Sequence, residues 1–211
     1  MTTLDNKRAR RSSRPTGDER QRAILDTAER LLRERAFTDI SVDDLAKGAG
    51  LSRPTFYFYF ASKDAVLLTL FEQMMSDADT IFESLVGSVE LGDPLVTLRT
   101  GISAFFTAFG KHRAVTLAGA AAKTLHPEFQ VAWSGFIQRW VDYTALLIAA
   151  ERERGNAPTT LPAVDIAVSL NLMNERAMYA ALANEPPAVA DEKVVDTLAH
   201  IWFAAIYGRT P

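Results

Sequence analysis

Residues 41–63 read SVDDLAKGAGLSRPTFYFYFASK, and this stretch decides the fold. Ser41 stands where a helix N-cap is wanted, and Asp44, three positions on, can reach back to it as the acidic member of a capping box. Behind that cap Val42, Leu45, Ala46 and Ala49 fall at helical spacing, so a short helix is predicted. Gly48 and Gly50 then offer backbone that takes positive φ without a Cβ clash, and the chain is expected to turn there. Ser52 can cap a second helix, with Pro54 tolerated in its first turn because those amides have no intrahelical acceptor.

The second helix carries polar and aromatic side chains where a core helix would carry leucines. A helix-turn-helix presents the start of its second helix to the major groove, where every base pair shows its own donor and acceptor pattern. Arg53 and Thr55 occupy that start. The run Phe56, Tyr57, Phe58, Tyr59, Phe60 cannot be buried throughout, because consecutive residues point in different directions. Phe56 and Phe60, four apart, suit the inner face, which leaves Tyr57 and Tyr59 to offer hydroxyls to phosphates. Ser62 begins a further helix with Lys63 in its first turn. Amides, the positive end of a helix dipole and a cation would then converge on one anion, a description that a DNA phosphate fits.

On these residues the segment resembles the DNA-binding motif of TetR-type transcriptional regulators, with their tyrosine-rich recognition helix and following lysine. Asn171 to Arg176 (NLMNER), the tail HIWFAAIYGRTP from His200 to Pro211, and the spacing between them are similar to the EthR-type repressors within that family. The likeness spans nearly the whole chain. It implies that Arg53, Pro54, Thr55, Tyr57, Tyr59 and Lys63 touch DNA. It also implies that the rest of the chain binds a ligand and forms a dimer.

Composition sets the bounds. The chain has 211 residues, 48% of them apolar, enough for one small and one larger unit with a buried core. No apolar run approaches the ~18–20 residues of a membrane span, and the basic start lacks an apolar stretch behind it, so a cytoplasmic protein is expected. Zero cysteines exclude disulfides and thiolate metal sites. The three scattered histidines, His112, His126 and His200, argue against a metal cage, and no cofactor is expected.

The net charge of −3 conceals a polarised molecule. Residues 1–65 hold thirteen Lys or Arg against ten acidic residues, whereas the remainder holds ten against sixteen. A basic front and an acidic body suit one-sided docking on a polyanion. The first 17 residues, with Arg8, Arg10, Arg11 and Arg14, read either as a solvated terminus or as a flexible arm that follows the phosphate backbone or enters the minor groove.

Read along its length the chain is all-α, with about nine helices: a three-helix DNA-binding unit over 18–64 and a larger helical unit over 65–211. Thr16 and Glu19, at capping-box spacing, open the first helix, whose Ile24, Ala28, Leu31 and Leu32 form one stripe. Between residues 63 and 86 Leu67, Phe71, Met74, Ala78, Ile81 and Leu85 alternate four and three apart, predicting a helix of roughly 33 Å that acts as strut or lever. Residues 87–94 read as a loop and 95–110 as a helix crowded on one side by Ile102, Phe105, Phe106 and Phe109. A segment over 113–124 precedes the break at His126-Pro127. Trp133, Phe136, Trp140, Tyr143 and Leu147 then stripe a helix over 129–154. Two further helices, 163–184 and one after Pro186-Pro187 through Val194, Leu198, Ile201, Trp202 and Ala205, complete the set.

An aromatic stripe at helical spacing is either plain core or the wall of a pocket. Asn171 and Asn174, three apart on an otherwise apolar helix, need partners, which a neighbouring helix, a water or a ligand could supply. Resemblance to the EthR-type repressors favours a long apolar pocket, with Phe105, Phe109, Trp133, Trp140, Tyr143, Asn171, Asn174, Tyr179 and Trp202 as the matching positions. It implies a mostly apolar small-molecule effector bearing one or two acceptors. Thr97 and Leu98 stand where that pattern carries an aromatic before Arg99 and Gly101, so pocket length or ligand choice is expected to differ. On the last two helices Val195, Ala199 and Ile206 point away from the main stripe; they either close the monomer core or form a self-complementary patch. The resemblance favours the patch: a homodimer on an inverted-repeat double-stranded DNA operator.

The leading reading is a ligand-responsive DNA-binding repressor. An enzyme using the aromatic cavity on a hydrophobic substrate is the alternative, but no nucleophile with a positioned histidine and no glycine-rich phosphate loop supports it; Asp196 and His200, four apart, read as a surface pair. A non-specific architectural binder would need more basic surface and fewer buried aromatics.

Overall fold

Both capping boxes form. In a computed structural model that describes residues 16–86 and 93–211, the Thr16 hydroxyl accepts from the Glu19 amide at 3.2 Å, and the Glu19 carboxylate accepts from the Thr16 amide at 2.6 Å. This opens α1 (Gly17–Glu34), with Ile24, Leu25, Ala28 and Leu31 buried along one side. A single 3-10 turn, Phe37–Asp39, leads to Ser41, whose hydroxyl accepts from the Asp44 amide while Asp44 accepts the Ser41 amide at 2.9 Å. α2 (Val42–Gly48) follows, then α3 (Arg53–Phe56), capped by the Ser52 hydroxyl.

Only one of the two glycines turns the corner. Gly50 takes φ +68°, whereas Gly48 is the last residue of α2. What Gly48 provides is proximity: a Cβ there would lie 2.3 Å from Thr27 Cγ2 on α1. Its small size lets α2 lie against α1.

α4 (Lys63–Val86) is the long helix, 24 residues or roughly 36 Å at 1.5 Å per residue. α5 (Pro94–Lys111), α6 (Arg113–Ala122), α7 (Pro127–Glu153), α8 (Ala163–Ala183) and α9 (Asp191–Tyr207) complete an all-α fold, with no strand among the described residues. The arm residues Arg8, Arg10, Arg11 and Arg14, the side chain of Leu85 and the loop over 87–92 lie outside the described residues.

Two apolar clusters hold the helices together. One runs from α1 and α2 through Phe56 and Phe60, along Val66, Leu67, Leu70, Phe71, Met74 and Ala78 of α4, and on to Val115 of α6 and Phe129 and Phe136 of α7. The other joins α5, α7, α8 and α9 around Ile102, Ile148, Leu170, Met178, Leu198 and Phe203. The N-terminal helices α1–α3 therefore share a core with α6 and α7 by way of α4.

The terminal helices differ from expectation. Ala199 and Ile206 are buried in the monomer and Val195 is half-buried, because α9 packs on both α5 and α8. The exposed apolar side chains are instead Val164, Val168 and Leu172, at successive fourth positions along α8, and Ile201 on α9.

Gly48→Ala should destabilise the fold by about 1–3 kcal/mol through overpacking against Thr27, measured by urea unfolding. Gly17→Ala, with open space around its Cβ, is the control and should be near neutral.

Candidate functional site

The first site is built on α3 and the turn behind it. Phe56 and Phe60 face inward, with Phe56 fully buried. After Phe56 the chain tightens: the Phe58 amide donates to Thr55 O at 3.2 Å and the Tyr59 amide to Phe56 O at 2.9 Å. In a helix each residue steps round by about 100°, so with Phe56 and Phe60 inward Phe58 falls on the opposite side. Phe58 therefore swings out to 86% exposure beside Tyr57 at 45%, and Tyr59 turns half-inward against the core. Phe58 is the residue on this surface that the choice of Tyr57 and Tyr59 as the outward pair passed over, and Tyr59 faces outward less than expected.

Arg53 bridges the two short helices. Its guanidinium donates to the Tyr57 hydroxyl at 3.4 Å and to Asp43 of α2 at 3.1 Å, and these contacts raise its pKa, Tyr57 first and Asp43 second. Pro54 is exposed, and the Thr55 hydroxyl shares a hydrogen bond with Ser52 at 2.7 Å. Arg53, Pro54, Thr55, Tyr57 and Phe58 thus occupy one short segment.

Lys63 has another task. Its ammonium donates to the carbonyls of Phe37 (3.0 Å), Thr38 (3.4 Å) and Ile40 (2.9 Å), and lies over the Phe37 ring. Among the described residues only Phe37 O of the three has a backbone donor, the Ile40 amide at 3.2 Å, and the lysine supplies all three of its own. It ties the link between α1 and α2 to the start of α4 instead of standing free beside a helix end. Ser62 does cap α4, accepting from the Ala65 amide at 3.1 Å.

The second site is a cavity of about 90 Å³ bordered by α4, α5, α7, α8 and α9. Eight expected residues line it: Phe105, Phe109, Trp133, Trp140, Tyr143, Asn171, Asn174 and Trp202. Tyr179 does not. It lines an adjoining space of about 440 Å³ toward α6, which shares Phe109, Trp133, Glu175 and Met178 with the first. Thr97 and Leu98 are both on the wall of the smaller cavity.

Each tryptophan is held by its indole N–H, as amphipathic aromatics in apolar walls require. Trp133 donates to Glu175 at 2.8 Å, Trp140 to Asp79 of α4 at 3.1 Å, and Trp202 to the Asn174 side-chain oxygen at 2.8 Å. Asn171 donates to the Thr144 hydroxyl at 3.1 Å and to the Ala167 carbonyl at 2.9 Å. Helix-to-helix bonding therefore satisfies one side of each asparagine. The Asn174 side-chain NH₂ and the Asn171 side-chain oxygen have no protein partner among the described residues and belong to cavity-lining side chains. Sequence reasoning missed Phe82, Asp79 and Glu175, since nothing in the spacing along α4 or α8 sets them apart.

A polar joint connects the two regions. His112, between α5 and α6, places Nδ1 3.0 Å from Glu29 on α1 and Nε2 3.2 Å from Asp77 on α4. Lys111 also donates to Asp77 at 3.1 Å, and Lys111 and then His112 lower the Asp77 pKa. Asp196 pairs with Arg99 of α5, not with His200.

Residues 24–70 match the family described as bacterial regulatory proteins, tetR family, and residues 98–208 match transcriptional regulator EthR, C-terminal domain. The chain belongs to the TetR family of transcriptional regulators and, within it, to the EthR type. It is 58% identical over 214 residues to the HTH-type transcriptional regulator EthR of Mycolicibacterium smegmatis, covering 100% of this chain and 98% of that one. The EthR of Mycobacterium tuberculosis is 55% identical over 202 residues, covering 96% and 94%. Among solved structures, the fatty acid degradation regulator FadR from Bacillus halodurans shares the fold with a TM-score of 0.70 at 16% identity, over 94% of this chain and 100% of that one. A transcriptional regulator from Saccharomonospora viridis in complex with choline gives 0.72 at 21%, over 89% and 96%. No helix among the described residues is long and apolar enough to cross a membrane.

The cap that starts α2 has a measurable signature. Hydrogen bonds from the Ser41 side chain and backbone, with a smaller contribution from Arg35, lower the Asp44 pKa to about 2. A depressed carboxylate contributes stability that is fully present above its unfolded-state value and is lost as pH falls through the folded one. Carbon-13 NMR of the Asp44 carboxyl should therefore titrate near pH 2 in the native protein. In Ser41→Ala the midpoint should move up toward the ordinary 3.8.

Proposed function

We propose that this regulator is a ligand-responsive repressor whose dimer reads an inverted-repeat operator and is released by a compact, mostly apolar molecule bound in the aromatic cavity. The observation that carries the reading is that α4 serves both regions. It starts at Lys63 beneath the α1–α2 link and contributes Asp79 and Phe82 to the cavity side. A ligand that moves the far part of α4 acts on the element that positions α3.

On this reading Arg53, Pro54, Thr55 and Tyr57 meet the major groove, joined by Phe58, and Tyr59 and Lys63 act mainly by holding that surface in place. The arm with Arg8, Arg10, Arg11 and Arg14 follows the phosphate backbone. Residues 18–64 form the DNA-binding unit and 65–211 the effector and dimer unit, in the cytoplasm. The dimer face is the line Val164, Val168, Leu172 with Ile201, an exposed apolar strip on the helices that the EthR-type resemblance assigns to a four-helix interface. In a two-fold dimer the recognition elements stand about 34–36 Å apart, one turn of DNA. In the cavity the unengaged Asn174 NH₂ offers a donor to an amide, ester or ketone oxygen, and the aromatic walls take the apolar remainder.

A duplex selected from random DNA by gel shift supplies the test for the head. Arg53→Ala should weaken binding to it about 10- to 100-fold, the effect of removing one base-edge contact. Equal affinity of the wild-type protein for that duplex and for a scrambled one would remove the repressor reading. For the cavity, Trp140→Ala or Asn174→Ala should weaken effector binding and leave affinity for the duplex within about twofold, because sites this far apart behave additively. Unchanged affinity of both variants for apolar amides and esters would show the cavity to be no effector site.

A further inference from the structure

The cavity is small for an effector site: about 90 Å³, where pockets for drug-sized ligands run roughly 300–1,000 Å³. One ring narrows it from the α4 side. Phe82 of α4 stands edge-on to Trp140, 4.5 Å between centroids, and to Tyr143 at 5.3 Å, and it tilts against Phe105 at 6.1 Å. α5 makes room for it with Gly101, where a Cβ would come within 3.1 Å of Phe82 Cε2, and with the modest side chains Thr97 and Leu98 on the same wall. Phe82 is half-buried and lines the cavity.

We propose that Phe82 sets the length of ligand this cavity accepts. The inference rests on the reading of the cavity as the effector site and adds which effectors suit it: compact molecules with one amide, ester or ketone oxygen and a short apolar chain. A chain that lengthens toward α4 enters by displacing the ring from Trp140 and Tyr143, at the cost of those edge-to-face contacts. An aromatic on α5 in place of Thr97 or Leu98 would compete with the Phe82 ring for the same space. Here the obstruction sits on α4 instead, so the residue that measures the ligand belongs to the helix that follows directly on the DNA-reading segment.

The test is calorimetric titration of N-alkylbenzamides, propyl to decyl, into wild type, Phe82→Ala, Phe82→Leu and Trp140→Ala, with thermal melting of each protein. In wild type, affinity should rise about fourfold per methylene and stop rising at a short chain. In Phe82→Ala the rise should continue for several methylenes, so that the octyl compound binds at least about tenfold tighter than to wild type. Phe82→Leu should fall between, and it carries the comparison if Phe82→Ala melts below the assay temperature. The same chain-length limit in wild type and both Phe82 variants, with binding lost throughout in Trp140→Ala, would refute the length-setting role and leave the cavity as the effector site. Failure of every compound to bind wild type and both Phe82 variants would overturn the cavity reading and this inference together.

Discussion

Burial of one face of α4 is the constraint on which the other parts of this regulator depend. Val66, Leu67, Leu70, Phe71, Met74 and Ala78 are almost completely removed from water, and their neighbours come from α1 and α2 on the DNA side and from α6 and α7 on the body side. Fully burying a large apolar side chain is worth ~1.5–3 kcal/mol, so this face alone is comparable to the whole stability of a domain. Neither end of the helix can shift without disturbing packing that the other end shares. Interiors packed at crystal density transmit such shifts instead of absorbing them.

Polar contacts refine what the packing sets up. Lys63 anchors the start of α4 to three carbonyls, His112 sits between carboxylates of α1 and α4, and Asp79 holds the Trp140 indole. These bonds join elements far apart in sequence, and each fixes an orientation that apolar contact leaves free. The contrast with the surface pairs Arg30–Glu34 and Arg176–Glu185 is physical: exposed ion pairs contribute little, whereas bonds at a helix end or a cavity wall satisfy groups that would otherwise lack partners.

Most departures from sequence-based expectation share one cause, which is that local spacing does not say which neighbouring element covers a face. Phe58 is the exception: helical spacing itself sets it opposite Phe56 and Phe60, which leaves it exposed and Tyr59 half-buried at the flank. Gly48 is needed for closeness to Thr27, which no local pattern announces. Ala199 and Ile206 are buried because α5 and α8 both cover α9, leaving the α8 line of Val164, Val168 and Leu172 as the exposed strip. Tyr179 shares a helix with Asn171 and Asn174 yet faces the neighbouring space toward α6.

The sequence by itself determined what local interactions control. It determined the two capping boxes, the run of nine α-helices among the described residues, the helix-turn-helix and the aromatic stripe of α7, because caps and periodicities act within a few residues and need no distant partner. Only the tertiary structure decided where Lys63 donates, which side of each asparagine is engaged, and that Phe82 of α4 closes on Trp140 and Tyr143 of α7. Those outcomes depend on how close two helices come and at what angle. That is set by the volumes of all the side chains between them, a sum over the whole core that no short window of sequence contains.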